Sequence, residues 1–172
     1  MLMETVKRAT RARASHRPER RGRRTLVDVT VQYATAARGV PAREDFHAWV
    51  TSALAHDAHI TIRVVGLAEG RALNRAYRGR DYATNVLTFV LNDSPPLAGD
   101  LVLCAPVIAR EAREQRKSLT AHYAHLTIHG VLHLQGYDHA DDRQAQAMET
   151  LETRILKRLG YPDPYTPLSH HG

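Results

Sequence analysis

The sequence predicts an α+β domain, with a small mixed four-stranded sheet packed against about five helices. Three observations carry this. Four short β-like stretches fall in the first two thirds of the chain, helical patterns dominate the rest, and the two do not alternate as a regular βαβ repeat. At 172 residues the chain is about one domain long, enough to close a single hydrophobic core. No internal repeat or second domain is visible in it.

Leu26-Val-Asp-Val-Thr-Val-Gln32 alternates apolar and polar residues and reads as a half-buried strand, broken by Gly39 and Pro41. Pro41 is expected to open a helix reaching about Ala55, because a proline at the first helical position gives up an N–H the helix does not use. His59 to Val65 is β-branched and alternating, a second strand. Leu67 to Tyr77 reads as helix. The polar loop Arg78 to Thr84 then leads into a third strand, Asn85 to Leu91. Asn92-Asp-Ser-Pro-Pro96 is a turn cluster, and Asp100 to Cys104 a fourth strand. Helices follow at about 106–115 and 118–135. A last helix, capped by Asp141, runs to about Leu159 and stops at Gly160.

Composition narrows the class. Apolar content of 43% and charged content of 24% are ordinary for a globular protein. No apolar run approaches the roughly 20 residues of a membrane span, and the N-terminus has no secretory apolar core, so no membrane partner is expected. The single cysteine, Cys104, fits a reducing cytoplasm and reads as core. The net charge of +6 is unevenly spread: residues 1–24 hold nine basic and two acidic residues, a balance of +7 that leaves the remainder at −1. Residues 1–24 are therefore expected to be a basic, disordered arm with non-specific affinity for polyanions, and 166–172 a flexible tail, around a functional domain at 25–165. A transit peptide is the weaker reading, since only Thr5, Thr10 and Ser15 supply hydroxyls before Arg24.

The chemistry concentrates in His129-Gly-Val-Leu-His133-Leu-Gln-Gly136-Tyr-Asp-His139. Histidines four apart on a helix are one turn apart, so His129 and His133 can reach one ion at the Zn–N distance of about 2.0–2.1 Å. Gly136 stands where a left-handed helix stop is wanted, and His139 follows on the returning chain as third ligand. The spacing is that of the metzincin signature, but Gly130 stands where those proteases carry their general-base glutamate. That argues against a peptidase and leaves phosphodiester hydrolysis by zinc-activated water open. Asp138 either orients an imidazole or moves a proton, or simply braces the turn. His122 and His125 share the ligand face as supporting donors or as packing. Met148 reads as core.

The segment His129–His139 resembles the H-G-x-L-H-L-x-G-Y-D-H signature of the YbeY family. Leu73-Asn-Arg-Ala-Tyr-Arg-Gly-Arg-Asp81, Thr84-Asn-Val-Leu-Thr-Phe89, Gly99-Asp-Leu-Val102 and Gly160-Tyr-Pro-Asp-Pro-Tyr165 are similar to further family blocks, in the same order over about 25–165. The resemblance implies a metal-dependent, single-strand-specific endoribonuclease. Its expected work is maturation of the 16S ribosomal RNA 3′ end and ribosome quality control. It implies one Zn²⁺ on His129, His133 and His139, and places the family's functional arginine at Arg78. Expected partners are ribosomal RNA and the small ribosomal subunit, with small-subunit ribosomal proteins and an assembly GTPase. Two departures stand out: the arm 1–24 is longer and more basic than usual, and Val90 replaces a frequent proline after Phe89. The rival readings are a non-catalytic assembly factor with a structural zinc and a zinc peptidase lacking the usual glutamate.

Overall fold

The computed structural model describes residues 25–166; the arm 1–24 and residues 167–172 of the expected tail lie outside the described residues. It is an α+β domain with one mixed four-stranded sheet and five α-helices among the described residues. The strands are β1 (Val27–Ala34), β2 (Ala58–Val65), β3 (Val86–Asn92) and β4 (Leu97–Cys104). The helices are α1 (Arg43–Ala53), α2 (Leu67–Arg78), α3 (Ala105–Glu114), α4 (Leu119–Leu134) and α5 (Asp142–Arg158).

In the sheet the order is β1-β2-β4-β3, with β1, β2 and β4 parallel and β3 antiparallel to β4 on the edge. The twofold alternation of β4 sorts its side chains between two cores. Leu101 and Leu103 join the main core, beneath α1, α4 and α5. Val102 and Cys104 join a smaller one beneath α2 and α3. Cys104, 1% exposed, is the core residue the sequence suggests, and burial pushes its thiol pKa up.

The clearest differences from expectation lie at three boundaries, the others shifting by a residue or two. Strand β4 begins at Leu97, because Leu97 pairs with Ala58 and Gly99 with Ile60 well before Asp100. Gly99 is required there, since a Cβ would lie 2.8 Å from Leu134 Cδ2 and 2.9 Å from the Phe89 carbonyl oxygen. Helix α1 starts at Arg43, with Ala42 as its N-cap. Pro41 lies just outside, its carbonyl accepting the Tyr33 hydroxyl at 2.7 Å. Strand β1 runs on to Ala34, which pairs with Val65. Val90 remains in β3, and the ladder breaks register only beyond it, between Val90 and Asn92.

Helix α4 is the structural axis. It is apolar on nearly every side, as a helix packed between a sheet and other helices must be. Ser118 caps its start by accepting the Ala121 N–H at 3.0 Å. Its end is a Schellman turn: Tyr137 N–H reaches Leu132 O at 3.2 Å, Gly136 N–H reaches His133 O at 3.0 Å, and Gly136 takes φ +95°. The Gln135 amide ties that turn to the end of α1, donating to Ala53 O at 2.5 Å and accepting from Ala55 N–H at 3.3 Å.

Candidate metal centre

The turn after α4 folds the chain back so that His139 meets His129 and His133. One ligand nitrogen from each lies within 4.8 Å of the others. The Nε2 atoms of His129 and His133 are 3.0 Å apart. Two tetrahedral ligands at the Zn–N distance would stand about 3.3 Å apart, so the His129–His133 pair is close to the spacing such an ion needs. His129 and His133 are half-buried, whereas His139 is exposed, so the cluster opens to solvent on the His139 side.

A carboxylate from α5 decides which nitrogen faces the cluster. Glu152 is fully buried (0% exposed) and accepts from His129 Nδ1. With that N–H committed, the His129 Nε2 lone pair points at the other imidazoles, the arrangement by which carboxylates orient metal-binding histidines. The second Glu152 oxygen lies 3.1 Å from His125 Nε2 and accepts the Tyr165 hydroxyl. His122, 3% exposed, is held apart from this network by Glu111 at 3.1 Å. Met148 is core, 1% exposed.

Sequence reasoning passed over Glu152 and Tyr165. A clue was present: Glu152 sits on the apolar face of α5 with Met148, Ile155 and Leu156, an unusual place for a carboxylate without a partner. Burial by itself would raise the Glu152 pKa, but hydrogen bonds from His125, His129 and Tyr165 outweigh it and hold the group at about 2. His133 moves down to about 4, mainly through burial, with repulsion from His129 and His139 adding to it. Both shifts favour a carboxylate and a neutral imidazole, the states in which such groups serve a cation.

Acid should therefore destabilise the metal-free protein in two overlapping ranges. Unfolded His133 protonates near the ordinary 6.5 but folded His133 only near 4, so stability present above 6.5 is lost as pH falls towards 4. Glu152, at about 2 folded against 4.5 unfolded, contributes stability above 4.5 that is lost on the way to 2. Urea unfolding of chelator-treated protein at about pH 7, 5 and 3 should show a stepwise fall, and equal stability at the first two would contradict the His133 contribution.

Gly130 owes its identity to packing. A Cβ there would meet Leu101 Cδ2 at 2.2 Å and Thr88 Cγ2 at 3.3 Å. The position faces the sheet, so a glutamate in this backbone would enter the core.

The family model described as Endoribonuclease YbeY matches residues 32–160. The chain belongs to the YbeY family. Curated relatives called Endoribonuclease YbeY include one from Nitrosomonas eutropha, 61% identical over 137 residues that make up 80% of this chain and 97% of the relative. Another, from Methylobacillus flagellatus, is 54% identical over 138 residues, 80% of this chain and 93% of the relative. A Thermotoga maritima protein solved in solution shares the fold with a TM-score of 0.50 and 24% identity, covering 80% of this chain and 99% of its own.

The two remaining residues singled out from the YbeY blocks lie differently. Asp138 accepts the His139 backbone N–H at 2.7 Å, bracing the turn, and its charge reaches His133, raising that pKa slightly against the larger downward effects. Arg78 is the last residue of α2, on the sheet face opposite α4, where Tyr77 packs edge-on to Phe89 of edge strand β3 at 5.1 Å. It is exposed, and no hydrogen bond or ion pair joins it to the histidines among the described residues. Neighbouring arginines are engaged: Arg71 makes two 2.8 Å bonds to Asp81, and Arg80 donates to the Tyr82 hydroxyl at 3.0 Å.

Proposed function

We propose that the protein is a metal-dependent endoribonuclease that cleaves single-stranded RNA, with His129, His133 and His139 holding one Zn²⁺. The observation that carries this reading is the convergence of three imidazoles at a solvent-open position, with His129 oriented by buried Glu152, in a chain of the YbeY family. A zinc ion bound there supplies Lewis acidity and lowers the pKa of a coordinated water to about 7.

The chain's own residues supply orientation and charge. Glu152 keeps the His129 Nδ1 proton away from the cluster. Asp138 braces the His139 backbone and, in this reading, orients the turn or accepts a proton beside the cluster. Arg78, exposed and without an ion pair among the described residues, offers a guanidinium fork to an RNA phosphate at the edge beyond β3. The substrate in this reading is ribosomal RNA on the small subunit, at the 16S 3′ end and in ribosome quality control. The YbeY name of the relatives supports RNA as the substrate class. Small-subunit ribosomal proteins and an assembly GTPase are the accompanying partners, and the cytoplasm the location. Residues 25–165 form the catalytic domain, and the arm 1–24 adds non-specific RNA affinity through its nine basic residues.

Two features weigh against the rivals. A structural zinc normally fills all four positions with protein ligands, whereas three histidines converge here and one is exposed. A peptidase would need a base that Gly130 has no room to become. Cleavage of ribosomal RNA by metal-replete wild type and Arg78→Ala, with metal content measured, tests the proposal. Arg78→Ala should keep its metal and lose about 10²-fold in activity, the scale set by removing one donor to a developing charge. Wild-type protein that takes up zinc yet leaves RNA intact while cleaving casein would overturn it.

A further inference from the structure

We infer that Glu152, Tyr165 and His125 form a positioning cluster for the metal centre, through which the C-terminal segment 161–166 sets the orientation of His129 and so metal retention. The inference rests on the metal-centre reading above and assigns a task to residues outside the three histidines.

An ionised carboxylate only accepts hydrogen bonds, and one buried as fully as Glu152 must have them. Its two oxygens have separate duties. Oε1 receives His129 Nδ1, while Oε2 meets His125 Nε2 at 3.1 Å and the Tyr165 hydroxyl. The second pair thus holds the carboxylate in the rotamer that presents Oε1 to His129. Tyr165 also packs edge-on against His125, with ring centroids 5.4 Å apart, so the two donors hold each other.

Tyr165 is itself firmly placed. Gly160, at φ +91°, turns the chain off α5, and Tyr161 N–H closes that turn on Leu156 O at 2.9 Å. Asp163 Oδ1 then accepts the Tyr165 N–H at 2.8 Å, and Lys117 Nζ donates to Pro164 O at 2.9 Å. The segment is therefore clamped both to itself and to the connection before α4. It meets the site through Tyr165, at His125 and Glu152.

His125, His129 and Glu152 also satisfy the distance requirement for a second metal trio. Their facing atoms are already joined through shared protons, and Tyr165 occupies one carboxylate oxygen. A cation there would displace hydrogen bonds that satisfy a buried charge. Positioning is the task this geometry serves.

The test uses full-length protein, chelator competition for zinc, and the visible spectrum of the cobalt(II) form. Glu152→Gln should raise the zinc Kd 10–100-fold, and Tyr165→Phe by about tenfold, at the lower end of that range. Because Tyr165 acts through Glu152, the double variant should bind no more weakly than Glu152→Gln alone. Tyr165→Phe should also change the cobalt spectrum, which a purely structural loss would leave alone while lowering the thermal midpoint of the metal-free protein. Tyr165→Phe removes only a hydroxyl, so it carries the test even if Glu152→Gln does not fold. Wild-type zinc affinity and cobalt spectrum in Tyr165→Phe would overturn the inference. Wild type that binds neither metal overturns the metal-centre reading first, and this inference with it.

Discussion

Replacing His133 with alanine is expected to strip the protein of its metal and of RNA cleavage together. His133 Nε2 stands 3.0 Å from His129 Nε2, and the third imidazole, His139, is exposed on a turn. Without His133 one α4 nitrogen and one surface histidine remain, too few to compete with water for zinc. Losing a residue that merely orients a ligand weakens metal binding about 10–100-fold, so loss of a ligand should exceed 10²-fold. His133 lies outside both hydrophobic cores, so the variant should keep its helical circular dichroism. Its metal-free form should also lose the upper of the two acid-sensitive ranges, because the imidazole that resists protonation is gone. Elemental analysis and a ribosomal RNA cleavage assay on the same preparation check both parts. One zinc per chain retained in purified His133→Ala would remove His133 from the ligand set.

Gly130→Glu, which restores the protease-like signature on paper, is expected to unfold the protein rather than confer peptidase activity. The new Cβ would lie 2.2 Å from Leu101 Cδ2, and Leu101 is 0% exposed in the middle of β4. Overpacking of this kind costs roughly 1–3 kcal/mol, and an unpaired carboxylate forced into the core adds several more. The better helix propensity of glutamate over glycine, under about 1 kcal/mol, does not offset this. The total approaches the 5–15 kcal/mol stability of a typical domain. Gly130→Ala separates the causes: it keeps the crowding, adds no charge and gains about 1 kcal/mol of propensity, so its net loss should be small. Urea unfolding of both variants beside wild type measures the difference. A Gly130→Glu protein as stable as wild type would show that α4 can lift off the sheet, against the close contact described above.

Much of the site follows from local pattern. His129 and His133 share a helix face because 3.6 residues complete a turn, and Gly136 ends the helix because only glycine enters φ +95° without strain. Asp141 caps α5 by accepting the Gln144 N–H at 2.8 Å, a contact across three residues. The start of β4 is not legible locally, because Leu97-Ala-Gly99 has little strand propensity of its own. Its pairing with Ala58 to Ile60 of β2 makes it a strand. Nor is the start of α1 legible locally, where the Pro41 carbonyl accepts from Tyr33, a partner on another element.

By itself, then, the sequence determined the α+β class, the helix-borne histidine pair with its glycine stop, and membership of the YbeY family. These depend on residues close together in the chain or on ordered blocks that can be matched one by one. Only the tertiary structure decided that Glu152 of α5 orients His129, 23 residues away in sequence, that Tyr165 braces Glu152 from behind, and that Gly130 faces Leu101. Each joins side chains from different elements. Their meeting depends on how α4 lies between the sheet and α5, and hydrophobic packing sets that position rather than any local spacing.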